Sequence, residues 1–256
     1  MLITACGIQF SYNSQPVLEN IEFELEKGLI LGILGVNGAG KSTLLKCLNK
    51  ILSPNKGSIF IDNENILDMK GSEIAKRIAY TPQKYGEESL SVFDAVLLGR
   101  KPHIRWNVGK RDFQIVEDIL NSMDLTPFAL RPVNSLSGGE MQKVIIARSL
   151  AQEPKVLLLD EPTSNLDIKN QFEVMAIIQD IVKKQNLSAV VSIHDLNLAF
   201  RFADQFLMLK NHQVYQVIDK KDISPEMIRD VYGIDVFIAE IEGNKVVVPR
   251  LGAGKK

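Results

Sequence analysis

Leu29-Ile30-Leu31-Gly32-Ile33-Leu34-Gly35-Val36-Asn37-Gly38-Ala39-Gly40-Lys41-Ser42 is the stretch on which the reading of this chain turns. Residues 29–34 form a continuous apolar run, the pattern of a strand buried on both faces of a parallel sheet. Residues 35–42 fit G-x-x-x-x-G-K-[ST]. Glycines let the backbone curl so that successive N–H groups point at one anion, and a helix beginning at about Lys41 adds the positive end of its dipole. In such a loop Lys41 can reach the β- and γ-phosphates of a nucleotide, and the Ser42 hydroxyl can ligate Mg²⁺.

Working outward, residues 2–10 and 21–25 alternate as strands, with Pro16 expected in the turn between them. A helix is expected over 41–50, a turn at 54–57 and a short strand at 58–61. From 89 to 150 the periodicity is helical. Val92, Val96 and Gly99 share one face, and Ile115, Ile119 and Met123 another, with Leu120 beside them. A further helix is expected over 138–151. Strand and helix then alternate at 156–159, 168–184, 188–193, 196–203 and 205–209, and parallel strands need such crossovers. The expected fold is therefore α/β, with a nucleotide-binding core (1–88 and 154–209), a helical insertion (89–153) and a small α+β tail (210–256) whose last six residues read as a loose end.

Val156-Leu157-Leu158-Leu159-Asp160-Glu161 is an apolar strand ending in two carboxylates. Ligands of open α/β sheets collect at the carboxyl ends of strands, beside the phosphate loop. There Asp160 would hold Mg²⁺ and Glu161 would orient or deprotonate an attacking water. A plain strand end with solvated acids is the alternative.

Leu136-Ser137-Gly138-Gly139-Glu140 lies about twenty residues earlier, and here the chain resembles the ABC ATPase family over nearly its whole length. That resemblance implies a P-loop core with an antiparallel N-terminal β subdomain and a helical insertion subdomain, ATP hydrolysis, and ATP and Mg²⁺ as ligands. It assigns nucleotide contacts to Gly35, Asn37, Gly38, Ala39, Gly40, Lys41, Ser42 and Thr43. Ser137, Gly138 and Gly139 match the signature that binds the γ-phosphate held by the other protomer, so a homodimer with two interfacial ATP sites is implied. Tyr12 matches the aromatic that stacks on adenine, with an ordinary strand aromatic as the competing reading. Gln83, in Tyr80-Thr81-Pro82-Gln83, matches the loop glutamine that senses Mg²⁺ or the attacking water. Asp167, in Ser164-Asn165-Leu166-Asp167, matches the loop through which protomers communicate, and His194 the histidine at the γ-phosphate. A structural histidine at a strand end is the plainer reading of that last position.

Hydrophobic residues make up 45% of the 256 and the net charge is −1, which gives no electrostatic reason for a nucleic-acid partner, and none is expected. No run of about 18 apolar residues exists to span a bilayer, and the N-terminus lacks a signal-peptide pattern. Cys6 and Cys47 have no motif spacing and read as two reduced, buried thiols. Residues 91–103 resemble the ATPases of iron–siderophore, haem and vitamin B12 importers, as do 231–236 and 246–249. The resemblance implies separate integral membrane permease subunits, indirectly a substrate-binding protein, and a cytoplasmic location on the inner face of the cell membrane. Molybdate or tungstate import and a soluble, non-transport ATPase are the alternatives. An amphipathic helix packed within its own subdomain is the plainer reading of 91–100.

Overall fold

A computed structural model describes residues 1–83 and 89–250. The expected subdomain boundary at 88/89 and the loose end at 251–256 fall on or next to residues outside that description. Along the chain, β1 (Ile3–Tyr12) and β2 (Gln15–Leu25) form a hairpin, followed by β3 (Ile30–Leu34), α1 (Lys41–Leu48), β4 (Lys56–Ile61) and β5 (Glu64–Asn65). Next come α2 (Gly71–Ala75), β6 (Ile78–Thr81), α3 (Val92–Leu97), α4 (Lys110–Ser122), α5 (Gly138–Leu150) and β7 (Val156–Asp160). Then follow α6 (Ile168–Gln185), β8 (Ser188–Ser192), α7 (Leu196–Phe202), β9 (Gln205–Lys210), β10 (Gln213–Asp219), α8 (Pro225–Tyr232), β11 (Val236–Ile241) and β12 (Asn244–Pro249).

The core sheet has the order β10-β9-β3-β8-β7-β6. Its four pairings from β9 to β6 are parallel, and β10 closes one edge antiparallel. The sheet thus runs to Asp219, ten residues past the limit of 209 expected for the core. A second, antiparallel sheet has the order β2-β1-β4-β5. The turn of its first hairpin is Asn13-Ser14, both at positive φ, and Pro16 lies inside β2 rather than in the turn. β6 also went unread in the sequence, because four residues offer too little periodicity.

The two-residue period of the strands separates two cores. Leu31, Ile33, Val156, Leu158, Val190, Leu207 and Leu209 face one cluster, shared with Leu44, Leu45 and Leu48 of α1 and the inner side of the antiparallel sheet. Ile30, Leu34, Leu157, Leu159, Val191, Phe206 and Met208 face the other, shared with α5, α6 and α7. All five residues of β3, of β7 and of β8 are buried. α1 is therefore held between two sheets, and the loop that opens it is fixed at the carboxyl edge of β3.

The helical insertion is pinned by Gly99-Arg100. The guanidinium of Arg100, 3% exposed, donates to the Ala151 carbonyl at 2.7 Å and pairs with Glu153 at 2.7 Å and Asp112 at 2.9 Å. It thereby satisfies a carbonyl left unpaired at the end of α5. On α4 the deepest residues are Val116 and Leu120, with Ile115 and Ile119 only partly covered, so the buried face is rotated from the expected one. Cys47 is buried, as expected, but Cys6 is exposed on β1.

Two outcomes test this packing. A Cβ at Gly99 would lie 2.1 Å from the Arg148 carbonyl oxygen. Gly99→Ala should therefore cost about 1–3 kcal/mol, read as a lower denaturant midpoint at unchanged m. Burial pushes the Cys47 thiol up to about 12. At neutral pH a thiol reagent should modify Cys6 in the native chain and reach Cys47 only after denaturation.

Candidate active site

Four parallel strands release their chains at one edge in the spatial order β3, β8, β7, β6, and each exit carries polar groups. After β3 comes the 35–42 loop. Gly40 caps α1 with φ 100°, and a Cβ there would lie 2.9 Å from the Val17 carbonyl oxygen, so both conformation and space require glycine. Gly38 has nothing within 4 Å of the corresponding position, which leaves the loop open toward solvent. The Lys41 ammonium folds back on its own loop, donating to the carbonyls of Gly35 at 2.9 Å and Val36 at 3.1 Å. Burial lowers its pKa, while the carboxylates of Glu161 and then Asp160 act in the opposite direction.

At the end of β7 the Asp160 carboxylate is buried among donors. One oxygen accepts from Ser42 Oγ at 2.9 Å and from Ser192 Oγ at 2.8 Å, and the other lies 3.4 Å from the Tyr80 hydroxyl. Glu161 follows with φ 48°, a conformation that costs a side-chain-bearing residue about 1–3 kcal/mol. Its N–H donates to Ser192 Oγ at 2.8 Å and its carboxylate accepts from Gln83 Nε2 at 2.7 Å. His194 Nε2 meets Asn37 Oδ1 at 2.7 Å, joining the β8 exit to the phosphate loop.

These groups surround a cavity of about 370 Å³. Asn37, Gly38, Gly40, Lys41, Ser42 and Thr43 form one side, and Gln83, Glu161 and His194 the other. Ala39 is buried beneath the loop. Val17, not Tyr12, is the hairpin side chain that lines the cavity. The Tyr12 ring is 44% exposed and stands edge-on to Phe10 at 4.8 Å.

Ser137, Gly138, Gly139 and Asp167 do not line this cavity but form a second cluster. Ser137 and Glu140 make a capping box at the start of α5. Ser137 N–H donates to Glu140 Oε2 at 2.8 Å, and the Ser137 hydroxyl donates to the same oxygen at 2.7 Å. These bonds keep the Glu140 carboxyl acidic, the side-chain bond contributing most. Asp167 caps α6 by accepting from Asn170 N–H at 2.8 Å and holds the Asn170 amide at 2.9 Å. Asn170 in turn lies so close to Gly139 that a Cβ there would sit 2.4 Å from its Oδ1. Ser137 and Gly138 are exposed, so the N-terminus of a 13-residue helix faces solvent, where an anion is favoured.

An ABC transporter family model matches residues 18–164. The chain belongs to that family. An uncharacterized ABC transporter ATP-binding protein of Methanocaldococcus jannaschii is 54% identical over 249 residues, covering 97% of this chain and 98% of its own. The petrobactin import ATP-binding protein FpuD of Bacillus anthracis is 34% identical, covering 97% and 93%. Among solved structures, a metal-chelate type ABC transporter in an inward-facing conformation superposes at a TM-score of 0.85, with 31% identity and 98% of both chains covered. The fold is thus that of an ABC ATPase, and the chain is an ATP-binding subunit of a family whose ATPase domains dimerise and work with membrane subunits.

Two partners in this ABC ATPase site escaped the sequence reading. Ser192 bonds both Asp160 and the Glu161 backbone, and the signal for it was a hydroxyl ending the apolar run Ala189-Val190-Val191, since a buried hydroxyl demands partners. Asn37 was assigned to nucleotide without its bond to His194. Ser192→Ala should leave the Glu161 N–H unpaired and lower stability by about 1–3 kcal/mol in chemical denaturation.

Proposed function

We propose that this chain hydrolyses ATP to drive import of a metal-chelate cargo through separate membrane subunits, and that two copies of the chain form two shared ATP sites. The observation that carries the reading is the split site. The cavity at the strand ends is lined by Gln83, Glu161 and His194, while the helix start at Ser137–Gly139, exposed at Ser137 and Gly138, lies elsewhere on the same chain. Two chains related by a two-fold axis bring the helix start of each to the cavity of the other.

In this scheme the triphosphate displaces the Gly35 and Val36 carbonyls from the Lys41 ammonium and lies along the N–H groups of residues 37–43. Tyr12, exposed at the hairpin end, stacks on the base beyond the phosphate cavity. Mg²⁺ fits the donors present. Among the described residues no three His, Cys, Asp or Glu side chains form a metal-binding group. Ser42 Oγ and Asp160 Oδ1, 2.9 Å apart, suit a cation that relies on phosphate oxygens and water for its remaining ligands. Ser42 and Asp160, with Gln83 at the rim, would hold it, and the ion would neutralise charge on the phosphates. Glu161, steadied by Gln83 and Ser192, takes the proton of the attacking water. His194, whose Nε2–H reaches Asn37 Oδ1, would turn that N–H to the γ-phosphate. Ser137 and Gly139 of the partner close the site, with Asp167 beside them linking it to α6. Loss of the γ-phosphate removes the bridge and lets the dimer open.

Support for import of a metal chelate comes from the relatives, since the likeness to FpuD and to the metal-chelate type transporter extends through the tail. Among the described residues no helix is long and apolar enough to cross a membrane, so the transport path would belong to other chains. A groove of about 490 Å³ beside β6, lined by Lys50, Ile51, Gly71, Ala75, Tyr80 and Gln152, suits a docking helix of such a subunit. The chain would then be peripheral on the inner face of the membrane, with a substrate-binding protein supplying cargo from the other side.

The experiment uses Glu161→Gln, tagged, with Mg-ATP and detergent-solubilised membranes. The expected outcome is loss of turnover by about a hundredfold or more, an ATP-dependent dimer, and co-purification of a multi-span membrane protein at equal stoichiometry. A variant that stays monomeric at saturating Mg-ATP sinks the shared site. A dimer that captures only soluble proteins sinks the transporter.

A further inference from the structure

The C-terminal segment reaches the phosphate loop, although none of the motif residues lies in it. The N–H of Gly35, the first residue of the loop, donates to the Tyr232 hydroxyl at 2.9 Å. Tyr232 is the last residue of α8, and Gly233 ends that helix in the left-handed conformation at φ 73°. The Tyr232 ring packs on the core that contains Phe206 and Met208 of β9, the strand beside β3. Burial pushes its phenol up to about 12, so the hydroxyl is a neutral partner at any physiological pH.

Gly35 is held from its other side as well. Its φ is 152°, and a Cβ would lie 2.7 Å from the Leu209 carbonyl oxygen. The peptide that opens the loop is therefore seated between β9 and α8, with its one N–H aimed at Tyr232. The same tail is bolted to the exit of β8. Asn197, three residues past His194 on α7, accepts from the Val247 N–H at 2.7 Å and donates to its carbonyl at 3.4 Å. Arg201 on α7 also bonds Asn244. The tail thus grips two of the chain segments that meet at the cavity.

We propose that Tyr232 is a positioning residue for nucleotide: by accepting the Gly35 N–H it fixes the start of the phosphate loop, and the C-terminal segment is the brace that holds it there. Without the hydroxyl, the Gly35 N–H loses its partner and the first peptide of the loop is released to turn. The loop amides must then be reordered when phosphate binds. That cost falls on the bound ground state and the transition state alike, so it raises KM and leaves kcat nearly unchanged. The inference rests on the nucleotide reading of the 35–42 loop.

Tyr232→Phe in the full chain keeps the ring packing and removes only the acceptor. Steady-state Mg-ATPase kinetics and equilibrium binding of a fluorescent ATP analogue should show KM and Kd raised about tenfold, with kcat within about twofold. Irreversible loss of folded protein lowers the amplitude of both signals without moving either constant, and reversible unfolding raises the apparent Kd only by the reciprocal of the folded fraction, so a circular-dichroism check that most of the variant is folded separates a tenfold rise from instability. Tyr215→Phe removes another tail hydroxyl, one bonded to Asp230, and should leave both constants at their parent values. Parent-like KM and Kd in Tyr232→Phe, or a fall in kcat alone, overturns the proposal. Lys41→Ala separates it from the reading beneath it. If that variant binds the analogue at full affinity, the nucleotide site itself is misassigned. If it loses binding while Tyr232→Phe does not, only the role of Tyr232 fails.

Discussion

Burial of β3, β7 and β8 on both faces is the constraint from which the site follows. A strand covered on both sides cannot carry an unpaired polar side chain along its length without a cost of several kcal/mol. Polar groups therefore gather where the strands end. Because the strands are parallel, all their carboxyl ends lie along one edge. The sheet order sets β3, β8, β7 and β6 side by side, so four distant segments deliver Lys41, His194, Glu161 and Gln83 to one cavity.

The same edge explains how the carboxylates can coexist with an emptier space beside them. Asp160 is almost completely buried yet accepts from Ser42, Ser192 and Tyr80. Glu161 is turned outward by a left-handed backbone that only a firmly held neighbour tolerates. Ser192 supplies that hold, bonding Asp160 with one hand and the Glu161 N–H with the other. Two adjacent acids thus acquire different surroundings, one fixed among hydroxyls and one at the cavity surface.

A second level of organisation ties the peripheral parts to this edge. Within the helical insertion, Arg100 locks the segment after α3 onto the end of α5, the helix whose other end presents Ser137 and Gly138. The importer-like segment 91–103 is therefore partly a packing device. Gly99 lets two segments touch, and Arg100 satisfies carbonyl and carboxylate at the contact. The tail does the corresponding work on the other side, through Tyr232 at Gly35 and Asn197 at Val247.

The phosphate loop, the acidic strand end and the Leu136–Glu140 stretch opening a helix were legible in the amino-acid sequence, because each is a local pattern of glycine, polar and apolar residues within ten positions. The alternation of strands and helices was legible for the same reason, to within a few residues at most ends. What stayed hidden depends on contacts between segments far apart in the chain. β6 is too short to show a period. Pro16 suits an edge strand as well as a turn, and the exposure of Cys6 is set by its place on the face of β1 turned away from the core that the antiparallel sheet shares with α1. Ser192, Arg100 and Tyr232 are ordinary residue types whose roles come from partners 31, 51 and 197 positions away. The sequence by itself determined which residues are candidates for phosphate and metal and which strands must be buried. Only the tertiary structure decided which hydroxyls hold the acids and what holds the loop, because a hydrogen bond is specified by the position of both its ends.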